Sequence, residues 1–267
     1  MSQAVAGTET SERSDGIIRA DKSGWQRAAM LRLVRGKMRA AFRSVLVQGV
    51  PELRASLQAD ERGVLFLLNH SSWWDLFMAH TLSEFLPLDG YLMTIHFNML
   101  RFGMLKRIGG FSIDPTNSRR VKESMDYAAA LLKRPRSAVW MCPQGEIRAN
   151  DVRPLGFQAG VRLLLKRAGS LRVVPLALRY EFWQDERPHA FARFGPIEDY
   201  QSANAGEFVE TCEQRLTMEL DQLREDVRSQ AAGKFMRVLR GKGSMNDQYA
   251  KLRARFLGKT PGAPDDF

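Results

Sequence analysis

Cysteine is scarce in this 267-residue chain, with only Cys142 and Cys212. That count excludes a disulfide-stapled scaffold, and no Cys/His spacing suits zinc, so a reducing compartment is expected. Long apolar runs are also missing. None reaches the ~18 residues that a spanning helix needs. The longest, Val64–Leu68 and residues 173–178, are strand-sized. The opening stretch MSQAVAGTETSERSDG is polar and carries acids, so it reads as neither a secretory signal nor a transit peptide. With 44% hydrophobic and 26% charged residues, the chain is neither disordered nor collagen-like, and it can bury a core.

What is plentiful is positive charge, at a net +10. A chain this basic seeks polyanions. Between Ser23 and Pro51 stand Arg27, Arg32, Arg35, Lys37, Arg39 and Arg43 without one acid. Leu31, Val34, Met38, Phe42 and Val45 recur there at steps of three and four, which predicts a basic amphipathic helix over 23–48. Such a helix suits an anionic membrane interface. The alternative is a helix packed on the domain with its charges solvated. No nucleic-acid-binding fingerprint accompanies the charge, so no nucleic-acid partner is expected. A second basic stretch, 234–259, is punctuated by Phe235, Met236, Val238, Leu239, Tyr249, Leu252, Phe256 and Leu257.

Buried strand patterns at 63–68, 137–142, 171–178 and 190–194 alternate with helix patterns at 72–85, 118–133, 157–168 and 207–227. That alternation predicts an α/β fold. Its central sheet is mostly parallel or mixed and flanked by helices, with the basic amphipathic helix at the N-terminus. The organisation expected is a flexible 1–22, the membrane-interface helix 23–48, a catalytic domain 49–230, and a basic C-terminal helix with a loose tail over 231–267.

The most informative segment is Asn69-His70-Ser71-Ser72-Trp73-Trp74-Asp75. It places His70 just past a strand's carboxyl end and Asp75 in the first turn of the next helix, with Ser72 as its cap. In open α/β sheets that edge binds ligands. A carboxylate bonded to one imidazole nitrogen leaves the other free to act as a base. The plainer reading makes Asp75 a cap and His70 an ordinary loop histidine.

Four ordered segments decide between these. Asn69, His70, Ser72 and Asp75 match the block N-H-x-S-x-x-D; residues 109–114 partly match G-x-x-F-I-x-R; residues 141–148 partly match F-P-E-G-T-R, followed by Phe157-Gln158-Ala159-Gly160; and Val174-Pro175-Leu176 answers V-P-V. Together they resemble the glycerophospholipid acyltransferase family, which includes the lysophosphatidate acyltransferases. The resemblance implies a fatty acyl thioester donor (on coenzyme A or acyl carrier protein), a lipid hydroxyl acceptor, and no metal or other cofactor. His70 and Asp75 would be catalytic. Gly145 and Gln144 fall in the oxyanion-forming third block. Arg148, Arg119 and Arg120 are candidates for an acceptor phosphate, with a loop salt bridge to Glu146 as the alternative for Arg148 and a solvated helix face for the other two; Arg101, Lys106 and Arg107 are candidates for donor phosphates. Cys142 is a nucleophile only on paper.

The departures concern the acceptor. Gln144 replaces the family's usual glutamate, Glu146 its threonine, Arg148 falls one place late, and Pro115 takes the second block's arginine position. The resemblance implies a lysophospholipid or glycerol-phosphate acceptor, and the departures leave a phosphate-free hydroxyl or an amine as the alternative. A non-enzymatic lipid-binding scaffold of the same fold is the other. The implied location is peripheral, on the cytoplasmic face of a membrane.

Overall fold

The computed structural model describes residues 16–201, 204–243 and 245–256; the start of the expected flexible segment and the expected loose tail lie outside them. The chain runs α1 (Trp25–Ala41), β1 (Ser44–Gln48), α2 (Val50–Ala59), β2 (Val64–Leu68), α3 (Asp75–Phe85), β3 (Asp89–Ile95), α4 (His96–Arg101) and β4 (Gly110–Ile113). It continues through α5 (Ser118–Leu132), β5 (Ser137–Met141), α6 (Gly160–Ala168), β6 (Ser170–Glu181), β7 (His189–Phe194), β8 (Glu198–Gln201), α7 (Ala205–Arg228), β9 (Met236–Arg240) and α8 (Met245–Phe256).

One nine-stranded sheet has the order β4-β3-β5-β2-β6-β7-β1-β9, with β8 beside β6. β4, β3, β5, β2 and β6 run parallel to one another. β7 turns back against β6, β1 runs with β7, and β9 runs against β1. β2 and β5 are buried along their whole length, as a parallel strand covered on both faces must be. α1, α3 and α4 contribute to the core on one face, around Met38, Met78, Leu82 and Phe66; α5 and α6 contribute to the other, around Met125, Leu164 and Leu65.

From β2 the chain crosses by α3 to β3 on one side; from β5 it crosses by α6 to β6 on the other. The chain thus leaves the neighbouring strands β2 and β5 toward opposite faces of the sheet, the arrangement whose carboxyl edge receives ligands in open α/β sheets. The loops after β2 and β5 carry His70 and Gln144–Arg148 to that edge.

The N-terminal region differs from the sequence reading. The basic helix ends at Ala41, and Ser44–Gln48 form a fully buried strand. Val45 falls in step with the helical stripe, but the stretch belongs to the sheet, where it pairs with β7 and β9. Of the rest of the stripe, Val34, Met38 and Phe42 are buried against the domain and Leu31 is half-buried. Residues 16–22 pack as well: Ile18 and Ser112 exchange hydrogen bonds, and Lys22 Nζ pairs with Asp89 at 2.5 Å while lying over the Tyr91 ring.

Candidate active site

Asn69 fixes the end of β2. Its side-chain oxygen accepts from Leu178 N at 2.7 Å, and its amide donates to Leu178 O at 3.0 Å and Asn150 Oδ1 at 2.7 Å. A buried amide with both functions satisfied locks β2 to β6 immediately before His70. The His70 N–H donates to Gln144 Oε1 at 2.6 Å, and its carbonyl accepts from Arg148 N at 2.8 Å. The loop after β5 therefore brackets the His70 backbone on both sides.

The helix α3 begins at Asp75, three residues later than the sequence pattern suggests. Ser72 Oγ accepts from Trp74 N, and the Asp75 carboxylate reaches back to accept from Ser71 N at 2.8 Å and Ser72 N at 2.9 Å. The same oxygen, Oδ2, lies 2.8 Å from His70 Nδ1. The other, Oδ1, accepts from the Tyr180 hydroxyl at 2.6 Å. Asp75 is 1% exposed, so its charge is held by four donors and the helix N-terminus rather than by water. An ionised carboxylate only accepts, so Nδ1 carries the proton in this pair and Nε2 is left with its lone pair. The imidazole itself is partly open, at 27% side-chain exposure.

Neighbouring groups keep their protons. Burial, then the Asp75 charge, pushes the Cys142 thiol well above its ordinary range, which removes it as a nucleophile. The same two causes raise Tyr180 well above a free phenol. Trp74 packs edge-on to Phe42 at 5.0 Å, and Phe42 stacks on Tyr180 at 5.6 Å. Trp73 is left 56% exposed.

The third-block residues sit beside His70 but not all in the expected state. Gly145 takes φ +74, and its N–H closes a turn onto Cys142 O at 3.2 Å. It is thus not a free donor. The adjacent Glu146 and Ile147 N–H groups bond no acceptor among the described residues. Arg148 pairs with Glu146 at 2.6 Å and donates to Leu155 O. Gly156 lets it lie there, since a Cβ at that position would stand 2.8 Å from Arg148 Nη1.

Arg119 and Arg120 are elsewhere. They open α5 after β4, three strands from β2, about 14 Å across the sheet. Arg120 pairs with Asp114 at 3.0 Å, and exposed Arg119 with Glu123 at 3.2 Å. Arg107 pairs with Asp21. Tyr180 and Asn150 were not read from the sequence as site residues. Nothing local marks them; only the pairing of β6 with β2 brings them in.

The sequence model of the family described as Acyltransferase matches residues 45–179, from β1 to near the end of β6. The chain belongs to the acyltransferase family. Among solved structures, this acyltransferase resembles PlsC from Thermotoga maritima, titled a 1-acyl-sn-glycerophosphate (LPA) acyltransferase. The TM-score is 0.50 at 14% identity, over 74% of this chain and 81% of that one. At that identity the likeness is one of fold: a mixed sheet flanked by helices. No curated protein sequence matches.

Proposed function

We propose that this acyltransferase moves a fatty acyl group from a coenzyme A or acyl-carrier-protein thioester to the hydroxyl of a lipid acceptor at the cytoplasmic face of a membrane, with His70 as general base. The observation that carries the reading is the 2.8 Å pair between His70 Nδ1 and the buried Asp75 carboxylate, placed at the switch point of the sheet. His70 Nε2 takes the hydroxyl proton as the acceptor oxygen attacks the thioester carbonyl. The tetrahedral intermediate collapses, the C–S bond breaks, and the imidazolium returns the proton to the leaving thiolate. Asp75 holds the ring and the transient positive charge. The free N–H groups of Glu146 and Ile147 are the candidates to receive the oxyanion.

Two acceptor classes fit. A lysophospholipid or glycerol-phosphate acceptor needs a cation near His70, and Arg148 is the guanidinium there. Its pairing with Glu146 favours the second class, a hydroxyl or amine without a nearby phosphate.

Thiol release from acyl-CoA, measured with each acceptor class in vesicles, tests both points. His70→Ala and Asp75→Asn should each lose about 10²–10⁴-fold in kcat while remaining folded. Near-normal turnover in either variant would remove the base assignment. Release with phosphate-free acceptors alone would decide for the second class.

A further inference from the structure

We propose that this protein meets an anionic bilayer with the carboxyl edge of its sheet, seating α8 and the edge helix α4 in the lipid interface. The proposal rests on the reading of a lipid acceptor and adds the face that reaches it.

The topology gathers the surface. β2, β3, β5 and β6 all end on the edge that holds His70. β1 runs opposite to them and β9 opposite to β1, so β9 also ends there and delivers α8 to the same edge. Met245 N–H donates to Glu186 Oε1 at 3.0 Å, tying the start of α8 to the turn after β6. Met245, Tyr249, Leu252 and Phe256 recur at steps of four, three and four, so they share one side of α8, and all are exposed, Phe256 by 82%. On α4, at the end of β3, Phe97 and Leu100 are 63% and 62% exposed.

Water is a poor solvent for such a stripe, and a lipid boundary is a good one. The charge around it selects the headgroups. Arg101, Arg240, Lys242, Arg253 and Arg255 are exposed, and no acid pairs with them among the described residues. Cations beside an exposed apolar stripe match anionic lipid. The N-terminal helix does not compete for this role with its main stripe, because Val34, Met38 and Phe42 face the core.

The test uses the full chain and vesicles of phosphatidylcholine, with and without phosphatidylglycerol. Wild type should sediment with the anionic vesicles. Tyr249→Ser/Leu252→Ser/Phe256→Ser should weaken that partition roughly 30-fold or more, and Phe97→Ser/Leu100→Ser roughly tenfold. Both should turn over short-chain, water-dispersed donor and acceptor at the wild-type rate and lose turnover only on vesicles. Unchanged vesicle binding in both variants overturns the proposal. So does loss of binding in Trp25→Ser/Leu33→Ser alone, which would put the contact on α1, or a wild-type dimer that ignores vesicles and is split by the α8 substitutions. Edge-dependent binding without acyl transfer to any acceptor would sink the enzymatic reading and leave the docking surface standing.

Discussion

The Tyr180 hydroxyl donates to Asp75 Oδ1 at 2.6 Å, while His70 occupies Oδ2 of the same carboxylate. Tyr180 arrives from the end of β6, 105 positions away. It reaches His70 only through Asp75, and under the proposed mechanism it is a positioning residue. Tyr180→Phe should keep the stack on Phe42 and lower kcat about tenfold, the order of one hydrogen bond to a charged group, with KM little changed. Steady-state kinetics on both proteins check this; a loss confined to KM would make Tyr180 a packing residue.

Gln144 offers His70 N–H an acceptor at 2.6 Å from a buried position. A glutamate, the residue usual in the family's third block, still offers an oxygen there. Gln144→Glu should keep turnover within about threefold. Gln144→Leu takes the acceptor from the part-buried His70 N–H, an effect of about 1 kcal/mol or more, and should lose about tenfold. Paired steady-state kinetics distinguish them. Equal losses would show that the acceptor atom is unimportant.

Acid should destabilise the protein through His80. Burial, reinforced by the charges of Lys22 and Arg27, lowers it from 6.5 to about 4. In the folded state it stays neutral where the unfolded chain has already taken up a proton. The stability it contributes is therefore present above about pH 6.5 and is lost as pH falls toward 4, on the order of 3 kcal/mol in all. His96 and His189 are lowered by burial too, so the wild-type curve contains their share. Urea unfolding of wild type and His80→Met at pH 7 and 4.5 isolates the difference. Curves of equal slope would exclude His80 as its source.

His70 and Asp75 were legible because both lie on one strand–turn–helix unit, where local pattern fixes the distance. The strands at 137–141 and 189–194 were legible for a similar reason, being short apolar runs buried on both faces. β1 was not. SVLVQ continues the apolar spacing of α1, and only pairing with β7 and β9 reveals it as a strand. β3 and β4 were missed because their patterns are short and mixed. The roles of Arg148, Arg119 and Arg120 depended on which acid lay within reach. The Arg148–Glu146 pair was one of two readings open from the sequence, whereas Glu123 and Asp114 were near but unread, because side-chain direction settles such pairs and one-dimensional spacing does not encode it.

Phe42, in the short link between α1 and β1, lies against both Tyr180 and Trp74. The helix is thus mechanically continuous with the carboxylate that orients the imidazole. Trimming residues 23–48 as though they were a detachable anchor would strip Phe42 from Tyr180 and Trp74 beside the His70–Asp75 pair and take an inner strand from the sheet. Two rings, Phe42 and Tyr180, stand between the end of α1 and the Asp75 carboxylate.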